Sequence, residues 1–104
     1  MAPEAPTILP DQEVKTDERT ETMPPWKVLI VNDEVTTFDF VIWILVTLFH
    51  KPAEDAVRLT WEIHRSGVAL VTVTSKERAE LYVEQVASLA RPRGFPLTAT
   101  MEEA

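Results

Sequence analysis

The stretch Lys27-Val28-Leu29-Ile30-Val31-Asn32-Asp33-Glu34-Val35-Thr36-Thr37-Phe38-Asp39-Phe40 passes from a short apolar run, through an acidic hinge, into a long apolar segment. The run over 27–31 is rich in β-branched residues and too short for a helix, so it reads as a strand. From Phe38 to Phe49 the chain is almost continuously apolar. A helix over this segment begins near Thr36 or Thr37, either of which can cap it, with Asp39 in the first turn where a negative charge suits the helix dipole. Between strand and helix, Asn32, Asp33 and Glu34 crowd oxygen acceptors into one loop. They shape a turn and cap the helix, or they offer acceptors to a ligand that carries donors, and both uses are compatible.

Moving toward the C-terminus, Phe38, Val41, Ile42, Leu45, Leu48 and Phe49 share one helical face, which leaves Phe40, Trp43, Ile44 and Val46 on others. A helix apolar on several sides is either surrounded or lends a side to a pocket or partner, and a small domain has little interior with which to surround it. Trp43 is the expected exposed aromatic. His50-Lys51-Pro52 stops this helix. A second runs from Pro52 or Ala53 to Arg65, with Glu54 and Asp55 in its first turn and Gly67 just past its end. Ala56, Leu59 and Ile63 form its core seam; Val57, Trp61 and His64 form a neighbouring row, and Thr60 lies one turn before His64. His64 thus stands at the edge of the apolar stripe, where a side chain can be half-buried and still reach a ligand.

Val68 to Thr74 alternates and is β-branched, a second strand. Ser75 caps a third helix, with Glu77 in its first turn, which runs to about Arg91 and turns Ala79, Val83, Val86, Ala87 and Ala90 inward. Arg91-Pro92-Arg93-Gly94 breaks it, and Phe95 to Met101, entered through Pro96, is the last strand. The order β-α-α-β-α-β specifies an α+β two-layer sandwich, a three-stranded antiparallel sheet with helices on one face.

Toward the N-terminus the character changes. Residues 1–25 hold five of the eight prolines and a net charge of −4, with Ile8, Leu9 and Val14 almost the only large aliphatics. Such a segment cannot bury enough surface to offset its ordering entropy, so a flexible, disordered acidic extension is expected over 1–25 and a folded domain over 26–104.

The whole chain, at 104 residues, has room for one small domain. Seventeen acidic residues against ten basic ones give a net charge of −7, which argues against nucleic acid because the phosphate backbone would find little to neutralise it. The absence of cysteine excludes disulfides and thiolate chemistry. The apolar run over 40–49 falls short of the roughly 20 residues that span a bilayer as helix, so no membrane partner is expected. Met1 to Ile8 has neither the basic start nor the apolar length of a secretory signal, and a cytoplasmic location is expected. His50 and His64 lack the paired spacing of a zinc site, no Ser-His-Asp spacing is present, and Gly67 and Gly94 cannot make a phosphate loop. The chain therefore reads as a non-enzymatic protein without metal or cofactor.

Val31-Asn32-Asp33-Glu34 followed by Thr36, Phe40-Val41, His64 and Pro96-Leu97 resembles the ClpS family, adaptors that hand proteins with N-degron termini to a Clp protease, and the likeness extends over residues 26 to 102. The resemblance implies that Asn32, Glu34 and His64 hold the α-ammonium and first peptide group of a substrate. It further implies that Thr36, Thr37, Phe38, Val41, Thr60 and Leu97 border a pocket for a large hydrophobic first side chain of the Leu, Phe, Tyr or Trp class. Chemistry agrees with that assignment: an α-ammonium offers three donors and a positive charge at neutral pH, and an amide carbonyl, a carboxylate and a neutral imidazole are acceptors. The implied partner is the N-terminal domain of a ClpA- or ClpC-type AAA+ unfoldase, met by a surface that includes Glu77, with the N-terminal extension engaged during delivery to ClpP.

Five positions depart from the family pattern. Glu34 stands where Asp is usual, Thr37-Phe38 replaces Pro-Met at a position that gates against branched first residues, Thr60 replaces a Met on the pocket floor, and Tyr82 replaces a Lys of the docking surface. Thr60 is expected to enlarge or polarise the floor. The rival reading is a structural interaction domain similar to the C-terminal domain of the ribosomal stalk protein, which predicts no preference for free N-termini.

Overall fold

In the computed structural model, which describes residues 23–104, the strand β1 (Trp26–Val31) lies at the centre of a three-stranded antiparallel sheet. The extension expected over 1–25 falls, up to residue 22, outside the described residues. β2 (Val68–Thr74) and β3 (Thr98–Glu103) flank β1. The centre suits β1 because Val28 and Ile30 are fully buried on its inner face. Ile30 pairs with Ala69 on one side and Ala99 on the other, so two small side chains leave room for the helices to close over the large one.

Three helices cover that face: α1 (Phe38–Thr47), α2 (Ala53–Ser66) and α3 (Lys76–Ala90), the last followed by a 3₁₀ turn over Arg91–Arg93. α1 packs on α2, α2 covers β2, and α3 covers β3 and β1. The α+β sandwich read from the sequence is the fold observed. Capping follows the local chemistry, since the Thr37 and Ser75 hydroxyls accept from the Phe40 and Arg78 amides at 3.2 Å each. α2 ends on Gly67 at φ 89, a left-handed conformation that costs a residue with a Cβ.

Two expectations are corrected. The buried face of α1 is Phe40, Val41, Ile44 and Leu45, with Phe49 beyond its end, whereas Phe38, Ile42 and Leu48 are only partly buried. In a segment apolar all round, spacing alone does not say which side faces inward. β3 begins at Thr98 instead of Phe95, because Pro96 has no amide to give a ladder. α3 ends at Ala90 with Arg91 as its C-cap, where the sequence placed its end, and the chain then tightens into the 3₁₀ turn. Trp43, as expected, is exposed.

Candidate functional site

The loop between β1 and α1 is organised by one carboxylate. Asp33 Oδ1 accepts the amides of Val35 at 2.8 Å and Thr36 at 2.7 Å, and its Oδ2 accepts the Thr36 hydroxyl at 2.7 Å. Burial pushes the Asp33 carboxyl up, but the hydrogen bonds from Thr36 and Val35 and the positive charge of Arg91 outweigh it and hold the group below the usual carboxylate range. The loop is pinned at its start as well, where the Asn32 amide donates to the Gly67 carbonyl at 2.9 Å. With both ends fixed, the Asn32 and Glu34 side chains are left exposed at the loop surface.

Beneath that loop lies a cavity of about 370 Å³ between the β1–α1 loop, α1, α2 and the segment entering β3. Its lining includes Asn32, Glu34 and His64 together with Thr36, Thr37, Phe38, Val41, Thr60 and Leu97, so the structure brings nine sequence-chosen residues around one hollow. The depth is formed by Val41, Thr60, Ile63 and Leu97, all buried. The mouth is formed by exposed Asn32, Glu34, Thr37 and His64 with half-buried Asp33, Thr36 and Phe38. Among the described residues, no side-chain hydrogen bond occupies Asn32, Glu34 or His64. An amide, a carboxylate and an imidazole at the rim of an apolar hollow suit a small cationic head on a hydrophobic body.

Two lining residues were not chosen from the sequence. Asp33 reads there as one oxygen acceptor among three, yet its spacing to Val35 is that of an Asx turn and was the available signal. Ile63 was placed in the core seam of α2, and it serves both the core and the cavity floor. A third, Arg91, lies outside the lining. Its Nη1 donates to the Phe95 and Leu97 carbonyls at 2.9 Å each, which fixes the wall that Leu97 provides.

Thr60 is corrected in one respect. Its hydroxyl donates to the Ala56 carbonyl at 2.7 Å, so its proton is turned onto its own helix and polarises the floor less than expected. Glu77 is not brought to the cavity; it stands exposed in the first turn of α3, in a separate depression with Ser75, Arg78 and Leu81. Tyr82 stacks on Phe49, ring centroids 4.5 Å apart. Among the described residues there is no cluster of His, Asp and Glu that could hold a metal, and no helix long and apolar enough to cross a membrane.

A family model described as ATP-dependent Clp protease adaptor protein ClpS matches residues 21–100. The ATP-dependent Clp protease adapter protein ClpS of Nautilia profundicola is 44% identical over 96 residues, which cover 91% of this chain and 99% of that protein. The protein of the same name from Acetivibrio thermocellus is 41% identical over 91 residues, 86% of this chain and 92% of that one. Among solved structures, Agrobacterium tumefaciens ClpS2 bound to L-phenylalaninamide superposes with a TM-score of 0.75 at 31% identity, over 78% of this chain and 98% of that one. A fold, a cavity and relatives matched over nearly their full length agree: the chain belongs to the ClpS family of ATP-dependent Clp protease adaptor proteins.

Proposed function

We propose that this adaptor captures proteins through a free N-terminal α-amino group and a large hydrophobic first side chain, and presents them to the N-terminal domain of a ClpA- or ClpC-type unfoldase in the cytoplasm. The family's members are adaptors and not enzymes, so unfolding and cleavage belong to the Clp partner. One observation carries the reading: acceptors on Asn32, Glu34 and His64, which take part in no side-chain hydrogen bond among the described residues, ring the mouth of a hollow whose depth is Val41, Thr60, Ile63 and Leu97. The ammonium takes the rim, where Glu34 supplies the compensating charge, and the side chain takes the depth. The neighbour from Agrobacterium tumefaciens supports it, since L-phenylalaninamide combines a free α-amine, a benzyl group and an amide in place of the next peptide bond.

His64 contributes a ring-nitrogen acceptor, and Thr36, Thr37 and Phe38 border the entering side chain. Glu77, exposed on α3 away from the cavity, leaves the unfoldase a surface that a seated substrate does not cover. The acidic segment over 1–25 serves as the extension that the unfoldase engages, ahead of the adaptor domain over 26–104. The stalk-like alternative gives the cavity no ligand.

Fluorescence anisotropy with a peptide beginning in Phe, free or N-acetylated, tests the reading. Acetylation removes the charge and two donors, so the free peptide is expected to bind and the acetylated one to lose at least about tenfold in affinity, the scale of one charge-assisted hydrogen bond. Equal affinity for the two peptides ends it.

A further inference from the structure

The Trp61 ring touches two residues of the cavity mouth without lining the cavity itself. Its centroid lies 4.9 Å from that of Phe38 with the planes at 79°, and 6.0 Å from that of His64 at 81°. Phe38 and His64 close the triangle at 5.2 Å and 68°. All three pairs are edge-on, an arrangement that the quadrupoles of aromatic rings favour, so each ring is steadied by the other two. Phe38 is the first residue of α1. Helical side chains lean toward the N-terminus, and at this position there is no preceding turn for the ring to lie on. What steadies Phe38 therefore comes from α2, and Trp61 is its nearest ring. Trp61 is in turn held from the solvent side, with the Arg65 guanidinium 5.3 Å over its ring.

We propose that Trp61 is a positioning residue that sets the width of the cavity mouth by holding the Phe38 ring, and so decides which first residues enter. The inference rests on the reading of the cavity given above. With its amine at Asn32, Glu34 and His64, a first residue has its Cβ level with the mouth. Ile and Val carry two heavy atoms on that carbon, whereas Phe and Leu carry one and place their bulk a bond deeper. A fixed ring at the mouth discriminates against the first pair. A ring free to swing outward does not.

The test measures competition by Phe, Leu, Ile and Val dipeptide amides against a fluorescent Phe-initiated peptide, for the intact chain and for Trp61→Ala and Trp61→Phe. Trp61 is 45% exposed, and thermal unfolding reports whether each variant folds. Trp61→Ala is expected to raise the affinity for Ile and Val relative to Phe by about fivefold, the scale of one edge-on ring contact, and Trp61→Phe to return the ratio toward that of the intact chain. A ratio unchanged in Trp61→Ala overturns the proposal, whether the four affinities hold or fall together, because loss of folded protein lowers all four alike. The N-acetylated peptide separates the two levels. If the intact chain binds it as well as the free one, the reading of the cavity fails and this inference with it; amine-dependent binding with an unchanged ratio removes only the role of Trp61.

Discussion

The depth and the mouth of the cavity are built on opposite principles. The depth is assembled from Val41, Ile63 and Leu97, carried by α1, α2 and the segment entering β3 and all buried, so the wall of the hollow is also the wall of the core. The mouth is assembled from side chains on one short loop and two helices, held by hydrogen bonds to a single carboxylate and by ring contacts at the surface. In the depth, shape and stability are the same property, and a change in one is a change in the other. At the mouth they separate, because exposed Asn32, Glu34 and His64 can be replaced without opening a cavity in the core. On the proposed function, substitutions at the rim are expected to alter ligand preference with little effect on the fold.

Substitution in the depth tests the first half of that contrast and carries the largest expected effect. Leu97→Ala is expected to destabilise the domain by about 2–5 kcal/mol, the transfer and cavity cost of a buried leucine, and to weaken binding of a Phe-initiated peptide as well. Urea unfolding and anisotropy on the same variant check both. A full loss of binding with unchanged stability would show the two regions to be less distinct than they look.

Asp33→Ala tests the second half with a smaller expected effect. It removes three hydrogen bonds within the loop, and a loss of about 1–2 kcal/mol is expected at neutral pH. Binding is expected to fall by more than the stability change explains, since the loop that presents Asn32 and Glu34 loosens. The Asp33 carboxyl is held below its ordinary value in the folded state. Its contribution is therefore fully present above the unfolded carboxylate pKa of about 3.9 and lost as pH falls through the lower folded value. The gap in stability between the intact chain and Asp33→Ala should narrow as pH is lowered from 4 toward 2, and a gap that stays constant would assign the loop's order to other groups.

Legibility in the sequence follows the same division. α2 was readable because its apolar residues form one stripe, and Ala56, Leu59 and Ile63 are indeed its buried seam. α1 was not, because Phe38 to Phe49 offers apolar residues on every side; its buried face is fixed by where α2 packs, a tertiary fact. The nine cavity residues were named through a family likeness, since nothing in the spacing of Asn32, His64 and Leu97 states that a loop, a helix and a strand entry meet. Arg91 stayed out of sight for a related reason. Its hydrogen bonds to the Phe95 and Leu97 carbonyls depend on a 3₁₀ turn whose place in the chain reads only as a break.

Thr60 sits on the boundary between the two regions and gives the smallest effect. It is buried at the floor of the cavity like its apolar neighbours, yet it carries a hydroxyl, which donates to the Ala56 carbonyl. Thr60→Val replaces the hydroxyl by a methyl group and removes that hydrogen bond, but the Ala56 carbonyl keeps the amide of Thr60 as a partner within α2, so no buried acceptor is stranded. Stability is expected to change by less than about 1 kcal/mol, and affinity for a Phe-initiated peptide by less than about twofold. A larger fall in affinity at unchanged stability would mean that the hydroxyl reaches the bound side chain. The floor would then share the polar character of the mouth, and Tyr-initiated peptides, which carry a hydroxyl of their own, would lose more than Phe-initiated ones.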